Sequence, residues 1–142
     1  MTPKTEQSAT DGKINVLIVE DDRFLLKILL MKFGTEGFAV RGAADGEDGL
    51  RQMTAEPPDL VVLDLILPKM NGFEVLAEMK THAQTKGIPV IVLSNLGQEE
   101  DIKRVLDLGA LEFLVKSNLS IMEVVSKVKE VYARQMNRPA GG

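Results

Sequence analysis

Five short apolar runs, each followed by a segment of helical length, constrain this chain more than any other feature. The runs are INVLIV (14–19), FAVRGA (38–43), DLVVLD (59–64), IPVIVLS (88–94) and LEFLVK (111–116). Short runs rich in β-branched residues and bounded by turn residues read as buried strands. Helices are expected over 22–37, 45–53, 72–83, 98–109 and 118–136. The first opens on Asp22 and closes on Gly37, as start and stop signals require. Apolar residues recur at Phe73, Leu76, Ala77 and Met79 in the third, and at Ile121, Val124, Val125, Val128, Val131 and Tyr132 in the last. Strands alternating with helices imply a parallel sheet covered on both faces. Right-handed crossovers then make an α/β, open, doubly wound sheet the expected architecture.

The 142 residues are one domain's worth of chain. Residues 1–13 read as a disordered, polar leader and 137–142 as a short flexible tail, leaving 14–136 as the domain. The initial Met argues against a cut at the N-terminus, whereas an effector domain after Gly142 stays open. There is no cysteine, so neither disulfides nor thiolate zinc sites are available. No apolar run approaches the roughly 18 residues of a membrane span, and the N-terminus lacks a signal-peptide pattern. A cytoplasmic location and no membrane partner are expected. A net charge of −4 without a basic block argues against direct nucleic-acid binding.

Ligands of open parallel sheets bind beyond the carboxyl ends of the strands. In this chain those ends carry Glu20, Asp21 and Asp22, then Asp64, then Ser94 and Asn95, and finally Lys116 and Ser117. Clustered carboxylates repel one another, so such a rim holds either protons or a cation. All-oxygen donors suit Mg²⁺, with Mn²⁺ as the alternative. Lys116 and the metal would together neutralise a phosphoryl group while a carboxylate acts as nucleophile. Asp64, alone at the centre of the row, is the candidate.

Each residue also has an ordinary explanation. Asp22 is the natural N-cap of the first helix, and a single Asp at a strand end is usually a turn or cap residue. Lys116 alone would be a solvated lysine, and Ser94 a loop hydroxyl. A cap accounts for one acid, but not for acids at two strand ends with a lysine at a third.

At these motifs the chain resembles the receiver domain of two-component response regulators, including stand-alone chemotaxis-type receivers. VLIVEDD resembles the first strand with its acidic pair, and PDLVVLDLILPKMNG the phosphoacceptor strand and following loop. IPVIVLSN is similar to the fourth strand with its hydroxyl residue, and GALEFLVKS to the segment carrying a switch aromatic and the lysine. The resemblance covers about residues 13–136. It implies a flavodoxin-like (βα)5 sheet of strand order 2-1-3-4-5. It implies Asp64 as phosphoacceptor, with Ser94 and Lys116 contacting phosphoryl oxygens. Asp21 and Asp64 would bind Mg²⁺, with Glu20 acting directly or through water and the Ile66 backbone carbonyl completing the set. Ser94 and Phe113 would form the conformational switch. The implied partners are a histidine kinase or phosphotransfer protein and a downstream protein, met through the face of the fourth helix, fifth strand and fifth helix. The oligomeric expectation is a monomer or a weak, phosphorylation-dependent dimer.

Three residues depart from the family pattern. Asn95 stands where Ala or Gly is usual, Ser117 where a proline, typically cis, is common, and Phe113 lacks a tyrosine hydroxyl. They bear on switching rather than on the phosphorylation groups. Ile66 and Leu96 are apolar where a polar side chain would position attacking water, which implies slow self-dephosphorylation. No turnover of an external substrate is expected.

Between Phe24 and Phe33 only Lys27 and Lys32 are charged or polar apart from the backbone, so the first helix is expected to be deeply buried, with packing on the last helix or a partner as the alternative. His82, the only histidine, reads as a surface residue. Two further functional classes stay open. One is a receiver-like interaction module acting without phosphorylation. The other is a metal-dependent phosphatase or phosphotransferase, for which the chain lacks a separate acid/base and a substrate-covering cap.

Overall fold

The structure, a computed structural model, describes residues 12–137. The expected leader and tail lie almost entirely outside the described residues. The strands are β1 (Asn15–Val19), β2 (Ala39–Ala43), β3 (Leu60–Leu63), β4 (Val90–Ser94) and β5 (Glu112–Val115). The helices are α1 (Arg23–Thr35), α2 (Gly46–Ala55), α3 (Gly72–Met79), α4 (Glu99–Asp107) and α5 (Ile121–Met136). All strand pairs are parallel and the order is β2-β1-β3-β4-β5. The flavodoxin-like doubly wound fold expected from the sequence is therefore present.

Strand alternation divides the core in two. Leu17, Val19, Val61, Leu63 and Val92 point to the face covered by α2, α3 and α4, where Met53, Leu76 and Val105 meet them. Val16, Ile18, Leu60, Val62 and Ile91 point to the face covered by α1 and α5, meeting Leu29, Phe33, Val125 and Val128. Both faces of β3 are buried, which is why its sequence is continuously apolar.

Helix α1 is less buried than expected. Only Leu29 and Phe33 are fully buried, while Phe24 is 76% and Met31 59% exposed. The helix lies on an open sheet face and beside α5, so the sheet reaches only part of its circumference. Leu26 and Leu30 pack over Gly42 of β2. Helix α3 is shorter than the expected 72–83. The Thr81 hydroxyl donates to the Glu78 carbonyl and the buried Thr85 hydroxyl to the Met79 carbonyl, ending the helix by capturing its last acceptors. On α3 the buried residues are Gly72, Phe73, Val75, Leu76 and Met79, whereas Ala77, expected on the apolar stripe, is exposed. Lys116 begins a single 3-10 turn, Lys116–Asn118, rather than ending β5.

Candidate functional site

Sheet register aligns the groups at the rim. Val19 pairs with Ala43 on one side and Leu63 on the other, so Glu20 and Asp64 leave adjacent strands at the same level. Backbone bonds hold them there: Asp64 N–H donates to the Val19 carbonyl at 3.0 Å and Glu20 N–H to the Ala43 carbonyl at 2.9 Å. Asp64 Oδ1 accepts from the N–H of Leu65 at 2.7 Å and of Ile66 at 3.3 Å. This fixes the carboxylate plane at the head of the loop that follows β3.

That loop is itself pinned. Asn71 caps α3 in a capping box with Glu74, and a Cβ on Gly72 would overlap the Asp64 carbonyl. On its other side, a Cβ on Gly46 would overlap the Met70 carbonyl, and Lys69 takes a left-handed φ of 70° beside its ion pair to Asp45. Such a backbone conformation is uncommon outside glycine and persists only where neighbours enforce it.

Glu20 and Asp64 are nearly inaccessible, 2% and 4% exposed, whereas Asp21 is exposed. Lys116 Nζ reaches both buried carboxylates, Glu20 Oε1 at 2.7 Å and Asp64 Oδ2 at 2.8 Å. Burial pushes the Glu20 carboxyl above its ordinary range, against the lowering effect of Lys116 and the Asp22 N–H, with nearby Asp64 adding to the rise. For Lys116 burial acts downward, but its bonds to Asp64 and Glu20 outweigh it and raise the ammonium overall. Lys116 thus bridges the two buried carboxylates, while Asp21 stands exposed beside them.

Glu20, Asp21 and Asp64 each present a carboxylate oxygen, all within 4.8 Å of one another. This hard, anionic donor set fits a divalent cation that prefers oxygen. Ser94 is fully buried at the end of β4, and its Oγ accepts from Leu96 N–H at 3.3 Å. Phe113 is half-buried against the α2–α4 side of the core. Asp22 performs the capping role, its Oδ1 accepting from Phe24 and Leu25 N–H at 3.1 Å each. His82 is half-buried beyond α3, with Nδ1 3.0 Å from the Glu78 carbonyl, and takes no part in the acidic cluster.

The family model described as the response regulator receiver domain matches residues 16–129. The chain belongs to the response regulator receiver family. Among curated relatives, this receiver is 34% identical over 119 residues to the alkaline phosphatase synthesis transcriptional regulatory protein PhoP of Bacillus subtilis, spanning 84% of this chain and 48% of that protein. It is 33% identical over 119 residues to the DNA-binding dual master transcriptional regulator RpaA of Synechocystis, spanning 84% of this chain and 49% of that one. The receiver thus spans about half the length of these relatives. A CheY-like receiver domain protein from Methanospirillum hungatei superposes with a TM-score of 0.79 at 28% identity, over 88% of this chain and 98% of that one. The receiver domain of a Francisella response regulator gives 0.78 at 28% identity, over 87% and 99%. Among the described residues, no helix is long and apolar enough to cross a membrane.

The structure brings together Glu20, Asp21, Asp64 and Lys116 as the sequence pattern proposed. It also contains a bond that sequence reading missed. Asn95 Oδ1 accepts from Ser117 N–H at 2.8 Å, so two of the departures from the family pattern are partners. Their separate positions, after the hydroxyl residue and after the lysine, were the only signal available.

Proposed function

We propose that this receiver accepts a phosphoryl group on Asp64 from a histidine kinase or phosphotransfer protein and relays that state by binding another protein. The observation that carries the reading is the buried Asp64 carboxylate, held at the sheet rim between two backbone N–H groups and the Lys116 ammonium. Such a group is oriented, nearly enclosed and presented at the rim, as a nucleophile should be. Asp64 attacks phosphorus with a carboxylate oxygen. The new P–O bond forms as the P–N bond to the donor imidazole breaks, and the electron pair leaves with that nitrogen, which is then reprotonated.

Glu20, Asp21 and Asp64, with the Ile66 backbone carbonyl, would hold Mg²⁺, with Mn²⁺ as a substitute. When bound, the cation neutralises charge on the transferred oxygens. Lys116 stabilises another oxygen, leaving its ion pair with Asp64 to do so. Ser94 donates its hydroxyl to a third, and the space it vacates favours an inward Phe113. Phosphorylation acts in this scheme by biasing two pre-existing states. The output face is α4, β5 and α5, where Leu106 is 45% exposed. The apolar Ile66 and Leu96 leave attacking water unpositioned, which supports a long-lived acyl phosphate. The site of action is the cytoplasm, where such kinases present their phosphohistidine.

Intact mass after incubation with acetyl phosphate tests this reading. Wild type with Mg²⁺ gains one phosphoryl group. Chelator, or Asp64→Ala, abolishes the gain. A folded wild type that gains nothing overturns it and leaves a phosphorylation-independent interaction module.

A further inference from the structure

β4 and β5 are in register to the pair Ser94–Val115, the last rung of that ladder. Beyond it β4 is followed by a short loop into α4, and β5 by the 3-10 turn Lys116–Asn118. The N–H groups at the start of a helical turn have no partner within it. Ser117 N–H instead meets Asn95 Oδ1 at 2.8 Å, across 22 positions of sequence. A side chain thereby adds one more tie between the two loops after the ladder has ended.

The bond needs both residues. Alanine or glycine at 95 has no acceptor, and proline at 117 has no N–H. The two residues that the resemblance marks as departures are partners in one contact. The neighbours of these residues are Ser94 and Lys116, the two side chains assigned to separate phosphoryl oxygens.

We propose that Asn95 is a positioning residue, which holds the Lys116 turn against the loop after β4 so that Lys116 and Ser94 address the phosphoryl group as a unit. The proposal rests on the phosphoacceptor reading of the site. Lys116 carries its charge on a flexible four-carbon stem, so the position of its backbone decides how closely Nζ is confined. With the tie, Nζ bridges Glu20 and Asp64. Without it, the ammonium spends less time on those carboxylates. That loosening has opposite effects on two measurable quantities. Transfer slows because Lys116 is less well placed. Mg²⁺ binds more tightly because its competitor for Glu20 and Asp64 is less confined.

The experiment compares wild type, Asn95→Ala, Ser117→Pro and the double variant. It measures the rate of phosphorylation by acetyl phosphate at saturating Mg²⁺, Mg²⁺ affinity by calorimetry without donor, and exchange of the Ser117 amide by NMR. Asn95→Ala is expected to slow transfer by about tenfold, tighten Mg²⁺ binding, and unprotect the Ser117 amide. The double variant should be no slower than the slower single variant, because both remove the same bond. Effects that multiply in the double variant overturn the proposal. So does an Asn95→Ala protein whose rate and Mg²⁺ affinity match wild type, or fall together as general damage would make them.

If Ser117→Pro does not fold, Asn95→Asp takes its place. It keeps an acceptor oxygen, so the Ser117 amide should stay protected there and lose protection only in Asn95→Ala. A wild type that takes up no phosphoryl group defeats the phosphoacceptor reading instead. Asn95 is then judged by exchange and Mg²⁺ affinity alone, and unchanged affinity in Asn95→Ala rejects its positioning role.

Discussion

Lys116 is the residue on which the electrostatics of the rim depend, because among the described residues it alone forms ion pairs with two carboxylates that are almost fully buried. Removing one partner of a buried pair is far costlier than the pair itself is worth, since the remaining charge keeps its desolvation penalty. Lys116→Ala should therefore destabilise the metal-free protein by about 3–5 kcal/mol. Urea denaturation in chelator measures this, and added Mg²⁺ should restore part of the loss by neutralising the same carboxylates. A loss that Mg²⁺ leaves untouched would place the cation elsewhere. Gly72 supports the site by size rather than charge. Its Cα lies so close to the Asp64 carbonyl and to Leu65 that a Cβ cannot fit without backbone movement. Gly72→Ala should cost about 1–3 kcal/mol as overpacking does. It should also slow phosphorylation, because the carbonyl it displaces belongs to Asp64, the proposed phosphoacceptor. Full activity at reduced stability would show that the displacement stays local.

At the scale of elements, α5 offers a clean spectroscopic report because Tyr132 is the only tyrosine in the chain. Burial, with the charge of Asp59 adding to it, raises its phenol above the ordinary 10.0. Asp59 is held nearby by accepting the Asn15 N–H at 2.8 Å, so this pairing reports on α5 docking at the opposite end of the sheet from the acids. The folded state holds the phenolic proton more tightly than the unfolded one. Tyr132's contribution to stability is thus complete below the ordinary pKa and lost as pH climbs through the raised value. Absorbance titration at alkaline pH should give a midpoint above that of free tyrosine, and Asp59→Asn should lower it. A midpoint at the free value would mean that α5 leaves Tyr132 solvated. The element pattern itself was legible because strands buried on both faces are continuously apolar and helices are periodic. What periodicity lacks is information about side chains that compete for the backbone. Thr81 and Thr85 end α3 at Met79 in this way. Nor does composition reveal how far a neighbour wraps a helix, so Phe24 and Met31 looked buried and are exposed. At the site, strand ends announced Glu20, Asp64 and Lys116, whereas Asn95 and Ser117 each looked like an isolated departure and are joined only by the contact between the loops after β4 and β5.

At the scale of the whole molecule, the two halves of the core are not separable, because β1, β3 and β4 supply residues to both. Loosening the sheet at one end therefore disturbs both helical layers, and the domain should unfold in a single transition. The acidic rim is built from the ends of those same strands, so its residues come together only in the folded state. Glu20, Asp21 and Asp64 are separated by up to 44 positions along the chain but lie within 4.8 Å as ligand oxygens. An ion that binds this cluster and not the unfolded chain must stabilise the entire domain by mass action. At an Mg²⁺ concentration of about 100 times its dissociation constant the gain is ~2.7 kcal/mol. For a chain of this size that corresponds to a rise in Tm of roughly 10 °C. Calorimetric melts in chelator and in Mg²⁺ should show the whole transition moving upward without splitting. Asp21→Asn is the informative control. Asp21 is exposed and has no part in the Lys116 pair, so its loss should leave the metal-free Tm nearly unchanged while removing most of the Mg²⁺ shift. An equal shift in wild type and Asp21→Asn would show that Mg²⁺ acts on general surface charge. A shift confined to wild type would tie the stability of both cores to one group of carboxylates at the strand ends.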